Sequence, residues 1–252
     1  MFKELTVLLQ TYHQKKLTLI AIKSFEKYRP KDLKVNYIVV EGSDDTSYKD
    51  EVCSLSENVM WHNNSKGDIK NPIGGASTAN GLNLEFGKQF AKTEWVFVCH
   101  NDVSVQSSSF FQVLFDYSRD YELVACCMDP MRIQACHISG LLVKNNILQL
   151  VDCMPDMPRI DVGDRLTEHC REKNIKYINL PNTHNNPELW NDIKGIWKEV
   201  GKNCGVDRCV VNNEVIFCHL GRGTPKFLKQ YYKQGKITHD GWCNLHENYL
   251  GI

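Results

Sequence analysis

The sequence predicts an α/β protein built on a mainly parallel central sheet flanked by helices. Two observations predict it. Short apolar, β-rich runs alternate with segments whose apolar residues recur at helical spacing, and several strand-like runs close on polar or acidic residues such as Glu41 and Asp102. Alternating strands and helices imply parallel pairing, and open sheets of that kind bind ligands just beyond the carboxyl ends of their strands. With 252 residues, 42% of them hydrophobic, the chain has material for the core of one large domain or two small ones.

The elements follow in order. LTVLLQ (5–10) reads as a first strand, and Leu17, Ile20, Ala21, Ser24, Phe25 and Tyr28 then recur at helical spacing before Pro30. Tyr37 to Val40 form a buried-type strand that ends in the turn composition Glu41-Gly42-Ser43-Asp44-Asp45. NVMWHN (58–63) supplies a short third strand. The glycine-containing loop NPIGGASTANG (71–81) leads into a helix with Ala79, Leu82, Phe86 and Phe90 on one face. Trp95 to Cys99 give a further strand, which stops at His100-Asn101-Asp102.

After residue 105 the pattern loosens. A helix is expected near Phe110 to Ser118, strands at ELVACC (122–127) and HISGLLV (137–143), a helix from Asp164 to about Lys173, and a strand at KYINL (176–180). Leu189, Ile193, Ile196, Trp197 and Val200 again recur at helical spacing, and VNNEVIFCHL (211–220) reads as one last strand. No repeat, low-complexity segment or linker divides the chain.

Bulk properties narrow the function. Lysine and arginine number 30, as do aspartate and glutamate, so no general electrostatic grip on nucleic acid or anionic lipid is expected. The apolar stretch in MFKELTVLLQTYHQKK is too short for a membrane span and lacks a signal-peptide cleavage site, which leads us to expect a cytoplasmic protein without a transmembrane segment. The 11 cysteines sit mostly inside apolar runs, and their odd number argues against a complete set of disulfides, so buried free thiols are expected. Cys204, Cys209, Cys218 and His219 lie close enough in sequence for a zinc site, although no C-x-x-C knuckle is present.

The strand ends carry the chemistry. LLQTYHQKK places Thr11-Tyr12-His13 after the first strand, VVEGSDD places Glu41 after the second, and GGASTANGLNLEFGKQFAKTEWVFVCHNDV runs from small residues through a helix and a strand to Asp102. In this order the segments resemble the family 2-like glycosyltransferases of the GT-A fold, over roughly residues 4 to 224. The resemblance implies a nucleotide-binding half at about 1–105, an acceptor half at about 106–225, and a tail, 226–252, packed on the domain. It implies that Thr11 and Tyr12 line a nucleotide pocket and that Glu41 reads the base. Asp102 matches the last residue of a D-X-D motif, with Asn101 before it and His100 in place of the first acid. His219, in IFCHLGRGT, matches a second metal ligand late in the chain.

The implied activity is metal-dependent transfer of a hexose, most commonly from a uridine-diphosphate sugar, to a glycan or another hydroxyl-bearing acceptor, with inversion. A divalent ion neutralises a diphosphate leaving group without proton transfer. Asp102 offers the hard oxygen such an ion wants, and mixed imidazole and carboxylate ligation suits Mn²⁺, with Mg²⁺ as the alternative. Asn80 and the amides around Gly74-Gly75 could contact ribose or diphosphate, and a basic loop carrying Arg222 and Lys226 could fold over the phosphates. The acceptor hydroxyl must lose a proton as it attacks, and Asp161 and Asp164, in PRIDVGDRLTEH, are the candidate catalytic bases, Asp161 slightly favoured. Among the late aromatics, Trp197 matches a helix's apolar face, while Trp190 and Trp242 are freer to meet an acceptor.

Plainer readings stand beside these. His100 and His219 could merely terminate strands, and Asp164 is also placed as an ordinary helix-start carboxylate. A sugar-phosphate nucleotidyltransferase would carry a glycine-rich loop after the first strand, and TYHQKK has no glycine. A GT-A-like module that binds nucleotide or glycan without catalysis is the other alternative.

Overall fold

A computed structural model describes residues 3–68, 75–130, 132–199, 206–221 and 239–252. In chain order the strands are β1 (Glu4–Thr11), β2 (Lys34–Glu41), β3 (Val59–Asn63), β4 (Trp95–His100), β5 (Val103–Val105), β6 (Leu123–Ala125), β7 (Leu141–Lys144), β8 (Tyr177–Asn179), β9 (Asp207–Val211) and β10 (Glu214–His219). The helices are α1 (Lys15–Tyr28), α2 (Lys49–Cys53), α3 (Gly75–Lys88), α4 (Phe110–Tyr117), α5 (Asn145–Leu150), α6 (Asp164–Glu172), α7 (Ile196–Glu199) and α8 (His239–Leu245).

A 7-stranded sheet has the order β3-β2-β1-β4-β7-β6-β8. The first four pair in parallel, β7 runs against both its neighbours, and β8 pairs in parallel with β6. Near-continuous apolar strands such as LTVLLQ suit this arrangement because both faces are covered. One face sends Val7, Leu9, Tyr37 and Phe97 against Ile22 and Phe25 of α1 and Phe110 and Leu114 of α4. The other sends Leu8, Val40, Val96 and Val98 against Leu84 of α3, Ile147 of α5 and Leu166 of α6. The expected α/β architecture with a mainly parallel sheet is therefore present.

A second sheet of 3 strands, β5-β10-β9, is antiparallel throughout. Here the structure corrects the sequence reading, because residues 211–220 are not one strand. The chain reverses at Asn212 and Asn213, whose φ angles of 51° and 62° are both left-handed, and β9 pairs back on β10. Two left-handed residues make the tight turn whose twist matches a hairpin, and asparagine tolerates that conformation better than most. The helix expected over 189–200 is also divided: a 3₁₀ turn spans Pro187–Asn191, and α7 begins only after Gly195, left-handed at φ 66°. HISGLLV is strand only from Leu141, with a 3₁₀ turn at Ile138–Gly140 before it.

A third apolar cluster joins Leu17 and Ile20 of α1 to Trp190, Ile193, Trp197, Val210 and, from α8, Trp242 and Leu245. Trp197 is core, as its spacing predicts, but Trp242 is fully buried and therefore does not meet an acceptor. Trp190, 9% exposed, is both part of this cluster and a lining residue of the cleft described below. No described cysteine is in a disulfide, and all of them except Cys53 are buried. The zinc set is not assembled: Cys209 and Cys218 pack into different apolar clusters, and Cys204 lies outside the described residues. Among the described residues no helix is long and apolar enough to cross a membrane.

Candidate active site

A cleft of about 670 Å³ opens where the carboxyl ends of β1 and β4 meet the loops of the second half. Thr11, Tyr12, Asn80, Asp102, Asp161 and His219 all line it. The segments singled out from sequence thus converge on one cavity, at the sheet edge where parallel topology puts ligands.

Main-chain pairing assembles the candidate metal centre. The chain leaves β4 at His100, turns through Asn101-Asp102 and enters β5, which pairs with β10 so that Val103 faces His219. The Leu220 amide donates to the Asp102 carbonyl at 2.8 Å, locking the two segments together. His100, Asp102 and His219 consequently offer ligand atoms within 4.8 Å of one another. His219 Nε2 lies 3.6 Å from Asp102 Oδ1.

The donor set fits a divalent ion. Nε2 of His100 is buried with no hydrogen-bond partner among the described residues, as a ligating nitrogen would be before it meets its ion. Burial lowers the His100 pKa, which keeps the imidazole neutral and able to ligate. On its far side, Nδ1 of His219 faces Asp207 Oδ2 at 3.2 Å and Ser139 Oγ at 3.3 Å. A carboxylate behind an imidazole fixes the tautomer in which Nε2 carries the lone pair a metal would take. Burial alone would raise the Asp207 carboxyl, but the hydrogen bond and charge of His219, with His184 and His137, hold it below its usual value. His137 completes this histidine cluster, its ring 5.7 Å from that of His219, and burial lowers its pKa to about 3.

The first-strand residues serve the cleft and its frame together. Thr11 Oγ1 lies 2.8 Å from Thr18 Oγ1 and accepts from Asn101 Nδ2 at 3.0 Å, tying the end of β1 to α1 and to the turn before Asp102. Tyr12 donates its hydroxyl to Asp68 at 2.8 Å, and burial and that carboxylate push its pKa up to about 12. Glu41 sits beneath this wall, fully buried. Its carboxylate accepts from the His13 amide at 3.2 Å, from Ser43 Oγ at 2.6 Å and from the Tyr48 hydroxyl.

The candidate bases occupy a second acidic cluster. Gly163, left-handed at φ 78°, starts α6 and places Asp164 in its first turn. Asp164 is 4% exposed and accepts from the Asp161 amide at 2.8 Å, so it serves the local turn, and burial raises its pKa. Asp161 is more open. Its Oδ1 accepts from the Val162 amide at 2.8 Å and its Oδ2 lies 3.1 Å from the Arg132 guanidinium. Arg132 also pairs with Asp129 and, at 3.4 Å, with Asp164.

Sequence reading did not single out His137, Asp207 or Arg132, since each gains meaning only from partners distant in the chain. Arg222 and Lys226 lie outside the described residues, as does Gly74.

The architecture is of the GT-A glycosyltransferase type, as comparison with solved structures shows. The mannosyltransferase PcManGT from Pyrobaculum calidifontis, solved in complex with GDP-Man and Mn²⁺, is similar with a TM-score of 0.52 and 16% identity, over 70% of this chain and 54% of that one. TarS of S. aureus is similar at 0.48 and 14% identity, over 70% and 58%. The galactosyltransferase LgtC, solved with donor and acceptor sugar analogues, is similar at 0.45 and 17% identity, over 58% and 60%. The chain thus spans little more than half the length of the mannosyltransferase. No protein-family profile and no curated sequence matches the chain.

Proposed function

We propose that this chain is a metal-dependent, inverting glycosyltransferase that moves a hexose from a nucleotide-diphosphate sugar, UDP-sugar favoured, to an acceptor hydroxyl. The observation that carries the reading is the meeting of His100, Asp102 and His219 in one cleft with Asp161. Asp102 and His219, with His100, would hold Mn²⁺ or Mg²⁺, and the ion when bound supplies the positive charge that stabilises a departing diphosphate.

The remaining work falls to the chain's own groups. Tyr12 and Asn80 border the nucleotide, Thr11 and Asn101 brace each other behind it, and Glu41 holds the His13 backbone beside Tyr12. Asp161 takes the proton of the acceptor hydroxyl as that oxygen bonds to the anomeric carbon and the bond to the diphosphate breaks. Arg132 holds the Asp161 carboxylate in position through their ion pair, and Asp164 fixes the turn that presents it.

Calorimetric titration with a panel of nucleoside diphosphates, with and without Mn²⁺, tests the reading. One nucleotide should bind tightly, and only with metal and intact Asp102. Binding by no nucleotide would replace the transferase with a module whose ligand is a glycan.

A further inference from the structure

Gln10 is a cleft residue whose polar side chain has no assigned work. It lies in β1 two positions before Tyr12, is 4% exposed and lines the cavity. Both its Nε2 and its Oε1 are buried without a hydrogen-bond partner among the described residues. Such an amide is costly to fold around, and it persists where a ligand or ordered water completes it.

Its position says which part of a substrate it meets. Gln10 is in direct register with His100 across the parallel β1–β4 pair, so the two side chains leave the same face of the sheet at neighbouring positions. Val40 flanks Gln10 from β2, and Leu8 and Val98 share that face one pair below, under α3. Gln10 therefore stands beside a metal-site imidazole, deeper in the cleft than Tyr12.

Its chemistry says what kind of group it takes. A metal ion would use Oε1 and leave Nε2 orphaned, whereas a phosphate would use Nε2 and leave Oε1 orphaned. A hydroxyl both donates and accepts, and two adjacent hydroxyls satisfy both atoms whichever way the amide is turned. Resting on the transferase reading above, we propose that Gln10 reads a pair of neighbouring hydroxyls on the sugar being transferred, and so sets donor-sugar specificity.

The test compares affinities for UDP, UDP-glucose, GDP and GDP-mannose, each with Mn²⁺, in the wild-type chain and in Gln10→Met and Gln10→Leu. The sugar-bearing nucleotide that the wild type prefers should weaken about 10-fold in both variants, the loss of two neutral hydrogen bonds. The matching diphosphate should bind as before. Thermal melting should stay at or above the wild-type value, because a buried unpaired amide has been removed. Equal weakening of diphosphate and nucleotide sugar would make Gln10 a nucleotide or metal-site residue and overturn the proposal, as would unchanged sugar affinity. Melting well below wild type would assign the amide to the fold. Failure of the wild type to bind any of the four would instead sink the transferase reading itself, and this inference with it.

Discussion

Glu41 and Asp102 both follow apolar parallel strands, and both are almost wholly shielded from water, at 0% and 2% exposure. They differ in their surroundings. Neutral donors surround Glu41, namely a backbone amide and two hydroxyls, and those donors shape the loop that carries His13 and Tyr12. Asp102 instead lies within ligand distance of two imidazoles and opens on the cleft. A buried acid at a strand end can thus serve either the frame or the ligand, and its partners, not its burial, separate the two.

The sharpest way to break this comparison is Asp102→Ala. Metal-dependent nucleotide binding should vanish in calorimetry while the melting temperature measured without metal stays close to wild type. A variant that still binds nucleotide only with Mn²⁺ would place the centre elsewhere. Next in size is Asp161→Asn, for which turnover should fall roughly 10²–10⁴-fold with donor affinity kept, as the loss of a general base predicts. Steady-state kinetics beside donor titration separate the two quantities, and the same substitution at Asp164 should chiefly lower stability.

Asp207→Asn addresses the support behind His219. Mn²⁺ affinity, followed by electron paramagnetic resonance, should drop about 10–100-fold with no change in fold. The smallest effect is expected from Glu41→Gln, about 1 kcal/mol in denaturant unfolding, with Mn²⁺ affinity unchanged. Burial raises the Glu41 pKa, so its contribution to stability is full below its unfolded value near ~4.3 and declines as pH rises through the folded value. Unfolding curves of wild type and Glu41→Gln from pH 4 to 8 should therefore diverge less as the pH rises.

The two halves of the sheet were unequally legible. β1, β2 and β4 announce themselves because strands covered on both faces are apolar along their length. The β9–β10 hairpin hid because Asn212-Asn213 sits inside an apolar run, although two asparagines in succession are the turn signal that the run's hydrophobicity masked. Gly195 interrupts the helical pattern, so that Ile193 and Trp197 are buried, Leu189 and Ile196 are half-buried, and only Ile196–Glu199 of the span is α-helix. In the site, Asp102, His219 and Asp161 could be named from motif order. Arg132, Asp207 and Gln10 could not, because an ion pair, a hydrogen bond to an imidazole and an orphaned amide exist only once the chain has folded.

The main-chain bond from Leu220 to Asp102 has a thermodynamic consequence. It fastens together two stretches that enclose most of the second half of the molecule, so an ion held by Asp102 and His219, as proposed, would act as a clasp on a very long loop. Because the unfolded chain would lack that grip, occupancy and foldedness would be linked, and at ion concentrations about 100 times Kd the folded state would gain roughly 2.7 kcal/mol. Chelation alone would then lower the temperature at which the whole protein unfolds, and calorimetric melting would report the ion's affinity without any sugar being transferred.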